Sequence, residues 1–287
     1  MLTHSAAYST TQVQRLNLGC GSDIHPAFIN IDVIAAPGVL VHDLRSGIPF
    51  PDCSCELVYH STMLSHLRPA DALALTRECR RVLKPGGVLR IVTEDLEQMC
   101  RVYLDTVSAA WTGDPLAGED HDWMMLELYD QATREYPGGR MAEFLRRQPL
   151  PNEAFIHSRI GEVGKRMIAA GRAQAVAKPR PAKDLRAILR QARARTRAFI
   201  LEKLLGEGGN EALEVGRFRL TSGQVTYQMY DRYSLRQLFL AAGFSTVELR
   251  APGESAYSSW GDIHLDVLPD GARVRPHTLI MEGIRAS

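Results

Sequence analysis

The chain has 287 residues, of which 45% are hydrophobic and 23% charged, as is ordinary for a globular protein that buries a substantial core. Its formal net charge of +1 excludes binding to a polyanion through overall charge alone. The five cysteines lack zinc or disulfide spacing, and no stretch resembles a secretory signal or a bilayer-spanning run, so a cytoplasmic protein with reduced thiols and no metal site is expected.

Apolar runs alternate with helical patterns from residue 12 to 106, which predicts βαβ units and a parallel sheet. Strands are predicted at 13–18, 28–33, 38–42, 55–60 and 88–93. A helix is predicted between the last two strands, and the stretch from Lys84 to Gly87 ends it. Its apolar residues at helical spacing are Ala72, Leu75, Cys79, Val82 and Leu83. Asp95 opens a further helix.

The pattern from residue 108 to 215 predicts helices and no strand, with a break or linker at 177–184. A helix at 185–204 carries an apolar stripe beside a basic one. The apolar stripe consists of Leu185, Ile188, Leu189, Ala192, Phe199 and Ile200, and the basic stripe of Arg186, Arg190, Arg193 and Arg197. A solvated helix face is the commonest explanation of such a pattern. An anionic lipid surface, nucleic acid and a phosphorylated sugar are alternatives.

Strand-forming sequence returns in the last part of the chain, near 216–221 and again at 245–250 and 277–285. The last two strands are expected to be joined by a long, partly polar connection. A helix is predicted at 234–242. Ser234 and Gln237 are interpreted as its capping box, and Gly243 as its end.

Two glycines follow the first predicted strand in the stretch LNLGCGSDIHPAFINID, residues 16–32. A turn with Gly19 and Gly21 lets the backbone approach a ligand, and Asp32 at the end of the next strand can accept ribose hydroxyls. The dinucleotide fingerprint requires a third glycine where Ile24 stands, and an acid about 20 residues on. These departures disfavour a dinucleotide. A ligand with a ribose and no pyrophosphate fits better.

Residues 13–106 carry an ordered series of motifs that resembles the class I S-adenosylmethionine-dependent methyltransferases. The motifs are Asn17-Leu-Gly19-Cys-Gly21, Asp32, Asp43-Leu44, CELVYHSTMLSHL (55–67) and LTRECRRVLKPGGVLRIV (75–92). The resemblance implies an α/β fold with a Rossmann-like sheet and a helical insertion. The core would comprise 12–106 and 216–287, and residues 107–215 would form an insertion that acts as a lid on the acceptor side.

The same resemblance implies S-adenosylmethionine as the cofactor. Asp32 would bind its ribose, and Asp43 would lie near the adenine amino group. The residues implied to contact the cofactor are Asn17, Gly19, Cys20, Gly21, Asp32, Val33, Asp43, Leu44, His60 and Ser61. Segments 123–141 and 230–244 also resemble a narrower group of bacterial predicted methyltransferases associated with sugar and cell-surface polysaccharide pathways.

The sequence departs from the family pattern in three places. Only about nine residues separate the first two strands, so the first crossover helix is expected to shrink to a turn or so. Ser65 replaces the glutamate expected before His66, and Glu94-Asp95 replaces a Pro-Asp pair. The last two departures concern the substrate side rather than cofactor binding.

Methyl transfer from a sulfonium depends mainly on in-line placement of the acceptor, although a hydroxyl acceptor also benefits from a general base. His60, at the end of strand four, is the best-placed base, and a side chain that only flanks the cofactor is its alternative. His66 is a second candidate, with packing or capping as its alternative. Glu127, Asp130 and Arg134 are predicted to share a helix face that lines the acceptor pocket or forms a solvated ion-pair stripe. Asp95 is interpreted as a helix N-cap rather than a catalyst.

The leading hypothesis is methyl transfer to an oxygen or nitrogen of a small-molecule or glycan acceptor. Two alternatives stay open. One is a non-catalytic cofactor-binding protein of the same fold, suggested by Ser65 and Glu94, and the other is an RNA methyltransferase that uses helix 185–204. That helix lacks interleaved aromatic residues, so nucleic acid is not the expected partner. Weak contact of the helix with a membrane surface would suit a lipid-linked glycan, and the sequence does not fix an oligomeric state.

Overall fold

The computed structural model describes residues 14–176, 185–206 and 208–286. Two compact units are present in it: the first comprises residues up to 100 together with 227 onwards, and the second comprises 101–226. Val13 and the predicted break at 177–184 lie outside the described residues.

The first unit is built on a seven-stranded sheet. Its strands are β1 (Gln14–Leu18), β2 (Ile29–Asp32), β3 (Val39–Val41), β4 (Cys55–Ser61), β5 (Leu83–Glu94), β6 (Thr246–Leu249) and β7 (Thr278–Ile284). They lie in the order β3-β2-β1-β4-β5-β7-β6, with β7 antiparallel to β5 and β6 and the other pairs parallel. The predicted α/β fold with a Rossmann-like sheet is confirmed. The chain order reverses between β1 and β4, where open sheets of this kind bind their ligands.

The helices are α1 (Pro69–Val82), α2 (Leu96–Trp111), α3 (Pro115–Thr133), α4 (Gly139–Leu145), α5 (Glu153–Val176), α6 (Leu185–Leu205), α7 (Gly209–Thr221) and α8 (Arg232–Ala241). Helix α2 begins in the first unit and continues into the second, α3 to α7 belong to the second unit, and α1 and α8 belong to the first. None of these described helices is long and apolar enough to cross a bilayer.

One face of the sheet packs against α1 and α8. The α1 residues predicted to form its apolar stripe, Ala72, Leu75, Cys79 and Val82, are all buried against this face, and Leu83 is buried just beyond the helix end. Leu235 and Phe239 of α8 join the same core. Each of the larger of these side chains, the leucines, valine and phenylalanine, stabilises the fold by about 1.5–3 kcal/mol once it is removed from water.

The opposite face is covered by the connection between β6 and β7 instead of a crossover helix. Residues 19–28, which join β1 to β2, contain only turns, as the short spacing predicts. Trp260 and Ile263 of the β6–β7 connection pack against Tyr59 of β4 and Phe28, with the Tyr59 and Trp260 ring centroids 5.4 Å apart. The late connection therefore supplies apolar cover on a face that the shortened crossover leaves open.

A buried cluster of charges holds this connection to the sheet. Arg90 of β5 is fully buried; its Nε and Nη2 donate to Asp266 Oδ2 at 2.8 and 2.5 Å, and its Nη1 donates to Glu282 Oε1 at 2.6 Å. Its guanidinium carbon also lies 4.4 Å from the Trp260 ring centroid. Arg250 donates to Glu282 Oε2 at 2.9 Å, so two guanidinium groups balance two carboxylates. Removing one member would cost about 3–5 kcal/mol, because its partner would stay buried without a counter-charge.

The strand predicted near 216–221 is wrong, because these residues belong to helix α7. Phe218 and Leu220 alternate with arginines over six residues, a run too short to separate a period of two from a helical period. These residues form the last part of a helix that begins at Gly209, after Gly208 with a left-handed φ of 77°.

Two other boundaries differ from prediction. Helix α8 begins at Arg232, and its capping box is formed by Asp231 and Ser234 rather than Ser234 and Gln237. Ser234 N donates to Asp231 Oδ1 at 2.7 Å and Asp231 N donates to Ser234 Oγ at 3.0 Å, so the aspartate displaces the predicted cap. Gly243, with φ 95°, follows the helix end as predicted. Strand β5 starts at Leu83, directly after α1, and not at residue 88.

Candidate functional site

The carboxyl ends of β1 and β4 lie side by side, with Leu18 paired to His60. Gly19 follows β1 directly, and Ser61 is the last residue of β4. Asp32 ends β2, the other neighbour of β1. The sheet thus brings the glycine turn, the acid and the end of strand four to one edge, although they are far apart in sequence.

The glycine turn folds back onto β2. The N–H groups of Gly19 and Cys20 both donate to the carbonyl of Ile31, at 2.8 and 3.2 Å. Gly19 and Gly21 have φ values of 60° and 51°, which L-residues with a side chain rarely adopt. A Cβ at position 19 would lie 2.3 Å from Met63 Sδ, whereas none of the described heavy atoms lies within 4 Å of a Cβ at position 21. Position 19 therefore needs glycine for space and conformation, and position 21 for conformation alone.

Asp32 is fixed by the backbone on both sides. Its Oδ2 accepts from Gly21 N and its Oδ1 from Ile34 N, each at 2.9 Å. Each carboxylate oxygen has a second lone pair, so both can still accept a ribose hydroxyl. Val33 and Ile34 are 60% and 70% exposed and offer apolar surface next to the acid. Cys20 takes no ionised role, because burial, with the charge of Asp32, raises its pKa to about 11.

The buried side chain of Asn17 stabilises the turn by hydrogen bonds. Its amide donates to Asp23 O at 2.8 Å and to Asn30 Oδ1 at 3.0 Å, and it is buried together with Asn30. Asn30 in turn donates to the carbonyls of His25 and Phe28, at 3.0 and 3.1 Å. These bonds hold the short connection that replaces a crossover helix. The motif suggested Asn17 but not Asn30. A polar residue in register with Asn17 within a buried strand was the signal that could have identified it.

Asp43, which the resemblance places near the adenine, forms an ion pair with Arg45. Arg45 Nη2 donates to Asp43 Oδ2 at 2.7 Å and Arg45 Nε to Oδ1 at 3.0 Å. The carboxylate also accepts from Arg45 N and caps the 3-10 turn Leu44–Ser46. The hydrogen bonds from Arg45 lower the pKa of Asp43, so this carboxylate is ionised. Its contact with adenine stays a prediction, as does that of Leu44, which packs partly against the core.

The end of β4 carries polar atoms that the described protein does not satisfy. His60 is fully buried, and neither ring nitrogen has a hydrogen-bond partner among the described residues; the same holds for Ser61 Oγ. Burial lowers the pKa of His60 to about 4. Most buried polar groups in native proteins are paired, so these unpaired atoms stand out, but their burial means that a ligand could bond to them only if neighbouring side chains moved.

The backbone directly after β4 is strained. Thr62 has a φ of 51°, a left-handed conformation that is unfavourable for a β-branched residue and recurs at functional sites. Its N–H donates to Val92 O at 2.8 Å, which ties the turn to β5. His66 ends the 3-10 turn Leu64–His66 that follows, and the carbonyl of Ser65 in this turn accepts from Tyr227 N at 2.8 Å.

The acidic pair after β5 has ordinary structural contacts. Asp95 N donates to His277 O at 3.0 Å, and Asp95 Oδ1 accepts from Gln98 N at 3.2 Å, as expected of a residue that caps α2. Thr93 Oγ1 donates to Glu94 Oε2 at 3.2 Å. The pair therefore ends the strand and begins the helix.

Glu127 lies inside the second unit and has two partners there. Trp123 Nε1 donates to Glu127 Oε1 at 2.5 Å, and Arg159 Nη2 donates to Oε2 at 2.7 Å. Glu127 and Arg159 are 6% and 5% exposed. The pair thus links α3 to α5. These contacts favour a structural role, and an acceptor contact by Glu127 stays a prediction.

Asp130 and Arg134 form a second buried connection in this unit. Asp130 accepts from the side chain of Arg134, and its Oδ1 accepts from Arg140 N at 2.6 Å at the start of α4. Arg134 is the C-cap of α3 and lies beyond the helix face predicted to hold it. Gly139, with φ 57°, comes so close that a Cβ there would lie 2.6 Å from the Asp130 carboxylate. The close approach of α4 to Asp130 therefore explains the glycines in the stretch PGGR, residues 137–140.

The atoms at the β1–β4 edge fit S-adenosylmethionine. The open space at Gly21, the remaining lone pairs of Asp32 and the exposed Val33 suit a ribose with an attached base. No phosphate-binding third glycine is needed, because this cofactor carries no pyrophosphate.

Residues 8–91 match the family model of a methyltransferase domain. The match and the sheet order together define a class I methyltransferase domain, whose cofactor is S-adenosylmethionine. The comparison with curated proteins found no match.

Several solved structures are similar to parts of the chain. A protein from Pyrococcus horikoshii is 23% identical over 33% of this chain and 55% of its own, with a TM-score of 0.26. A SAM-dependent methyltransferase from Aquifex aeolicus is 19% identical over 29% and 57%, with a TM-score of 0.24. An S-adenosylmethionine-dependent methyltransferase from Mesorhizobium loti is 14% identical over 95% and 91%, with a TM-score of 0.35. This chain spans little more than half the length of the first two, and scores this low carry no argument about activity.

Proposed function

We propose that the protein transfers the methyl group of S-adenosylmethionine to an oxygen or nitrogen of a small-molecule or glycan acceptor in the cytoplasm. The observation that carries the proposal is the closure of the Gly19–Gly21 turn on Asp32 at the β1–β4 edge. This arrangement combines a close backbone approach, a fixed ribose acceptor and adjacent apolar surface. The methyltransferase domain matched over residues 8–91 supports it.

The cofactor supplies an electrophilic methyl group, so the protein's main task is to align the acceptor atom with it. Asp32 would hold the ribose end, and the turn at Gly19 would hold the backbone close to the rest of the cofactor. His60 suits hydrogen bonding better than proton removal, because a pKa of about 4 leaves its ring neutral and weakly basic at pH 7. A hydroxyl acceptor would need another route for its proton, whereas an amine needs a base less urgently.

The glycan part of the proposal rests on the resemblance of segments 123–141 and 230–244 to the polysaccharide-associated group. Glu127 and Asp130 explain much of the first segment through internal contacts, so that segment supports the acceptor class only through the resemblance. The acceptor-side role of the helical insertion belongs to the same proposal.

The direct test is transfer of a radiolabelled methyl group from S-adenosylmethionine into fractionated cell material. Lipid-linked glycan, free sugar nucleotides, protein and RNA are scored separately, and Asp32→Ala is the matched negative control. Label in a glycan or small-molecule fraction that Asp32→Ala abolishes is the expected result. Label in RNA alone would favour the nucleic-acid alternative and contradict the proposed acceptor.

Calorimetric titration with S-adenosylhomocysteine separates binding from catalysis. A folded protein that binds the demethylated cofactor and labels no fraction would favour the non-catalytic alternative. A folded protein that does not bind it would overturn the assignment of the site.

A further inference from the structure

Helix α6 (Leu185–Leu205) is strongly basic. Its sequence LRAILRQARARTRAFILEKLL contains five arginines and one lysine, against a single acid, Glu202. The side chains of Arg193, Arg195, Arg197 and Lys203 are all exposed. This concentration of positive charge contrasts with the nearly neutral chain as a whole.

Large apolar side chains are exposed on the same helix. Phe199, Ile200 and Leu204 are 63%, 50% and 75% exposed. At 3.6 residues per turn they fall within about 140° of the helix circumference and therefore share one face. Single exposed apolar residues are common on proteins, but several together on one helix face mark an interaction surface.

Cations border this apolar face and also lie within it. By helical position, Arg195 and Arg197 lie just outside the arc of Phe199, Ile200 and Leu204, one on each side. Arg193 and Lys203 fall inside that arc. The Lys203 Nζ is 5.8 Å from the Phe199 ring centroid. Arg197 also pairs with Glu214 of α7. The result is a helix on which exposed apolar side chains lie beside, and partly among, long cationic side chains that can extend their charges toward water or headgroups.

We propose that α6 binds the anionic lipid surface of a membrane, with Phe199, Ile200 and Leu204 inserted among the acyl chains and the flanking arginines on the headgroups. An interfacial helix requires both kinds of side chain, because burial of apolar area and electrostatic attraction to anionic lipid both strengthen its binding to the membrane. RNA fits the surface less well. Ile200 and Leu204 gain nothing from a phosphate backbone, and Phe199 is the helix's one aromatic ring for stacking.

The test is co-sedimentation of the full-length protein with vesicles of phosphatidylcholine alone or with about a third phosphatidylserine. Binding is expected to the anionic vesicles and to be at least about tenfold weaker to the neutral ones. The double variant Phe199→Ser/Leu204→Ser removes exposed apolar surface and is expected to weaken binding about tenfold or more. The double variant Tyr233→Ser/Arg236→Gln removes an exposed ring and an exposed charge from α8 and is expected to bind like the unaltered protein.

A second variant, Arg193→Gln/Arg195→Gln, tests the charge. It is expected to weaken binding to anionic vesicles and to reduce its salt dependence, with the helix content by circular dichroism unchanged. The proposal is overturned if the protein binds neither vesicle, or if Phe199→Ser/Leu204→Ser binds as tightly as the unaltered protein. Binding of a single-stranded RNA oligonucleotide without vesicle binding would also overturn it. None of these outcomes depends on methyl transfer.

Discussion

The carboxylate of Asp32 accepts a hydrogen bond from the backbone N–H of Gly21 at 2.9 Å. Two positions eleven residues apart in the chain are thus one structural unit. The same carboxylate accepts from Ile34 N, so the acid fixes the glycine turn and the start of the β2–β3 connection together. Any ligand that uses Asp32 is also placed relative to Gly21.

Asp32→Asn is expected to weaken binding of S-adenosylhomocysteine by at least about tenfold, or roughly 1.4 kcal/mol. The amide nitrogen of asparagine cannot accept a hydrogen bond, so either Gly21 N or Ile34 N would face a donor. Calorimetric titration measures the change. Asp52→Asn, at an exposed carboxylate paired with Arg81, is the control and should leave affinity unaltered. Equal affinity in both variants would show that Asp32 does not touch the cofactor.

Gly19→Ala is expected to lower the thermal midpoint more than Gly21→Ala. Both replacements adopt a left-handed φ, which costs about 1–2 kcal/mol for a residue with a Cβ. Only the Cβ at position 19 also collides with Met63. Thermal unfolding of the two variants, at matched concentration, measures the difference.

Met63 provides the control for this comparison. In a Met63→Ala background the cost of Gly19→Ala should fall toward that of Gly21→Ala, because the colliding side chain is gone. A cost that is independent of residue 63 would show that the backbone conformation alone explains the glycine.

Preferential protonation of His60 in the unfolded state is expected to lower the free energy of unfolding as the pH decreases. Burial lowers the folded-state pKa to about 4, whereas an unfolded histidine titrates near 6.5. The unfolded state therefore binds a proton first. The contribution of His60 to the free energy of unfolding is fully present above about pH 6.5 and is lost as the pH falls toward 4. The loss is about 3 kcal/mol by pH 4. His60→Gln does not titrate and should flatten this part of the curve.

Urea unfolding at several pH values between 4 and 7 measures this slope. His264→Gln, at an exposed histidine, is the control and should keep the slope of the unaltered protein. Other groups also titrate in this range, so the informative quantity is the difference between His60→Gln and the unaltered protein. Parallel curves for those two would mean that His60 is not held neutral by burial.

Glu127→Gln is expected to destabilise the second unit by about 3 kcal/mol, because it leaves the guanidinium of Arg159 buried without a counter-charge. Denaturant unfolding measures the loss. Glu119→Gln breaks a more exposed pair with Arg147 and should cost less than about 1 kcal/mol. Reduced methyl transfer by Glu127→Gln at undiminished stability would instead support the acceptor role that the sequence predicts for this residue.

The sheet could be predicted from sequence where local signals agreed. Residues 55–61 and 278–284 are apolar runs with clear limits, and α1 repeats its buried residues at helical spacing. The strand prediction for residues 216–221 was wrong because six alternating residues also fit a helix. Local pattern thus predicts an element only when it is long enough, or bounded clearly enough, to exclude the other period.

The candidate site could likewise be predicted from sequence only in part. Gly19, Gly21 and Asp32 follow a local motif and could be placed from sequence. The contact of Met63 with Gly19, the strained φ of Thr62 and the pairing of Asn30 could not, because each depends on a neighbour from another strand. Arg90 likewise gave no local signal, since its acidic partners lie 176 and 192 residues later.

The position of those partners bears on how the chain folds during its synthesis. Asp266 and Glu282 leave the ribosome long after Arg90, and at about 5–20 residues per second the interval is on the order of ten seconds or more. During that time the residues of the first five strands have been synthesised, while Trp260, which covers one face of their sheet, has not yet been made. The nascent chain therefore has a waiting period in which an arginine destined for the interior stays hydrated, and the last strand to emerge ends it.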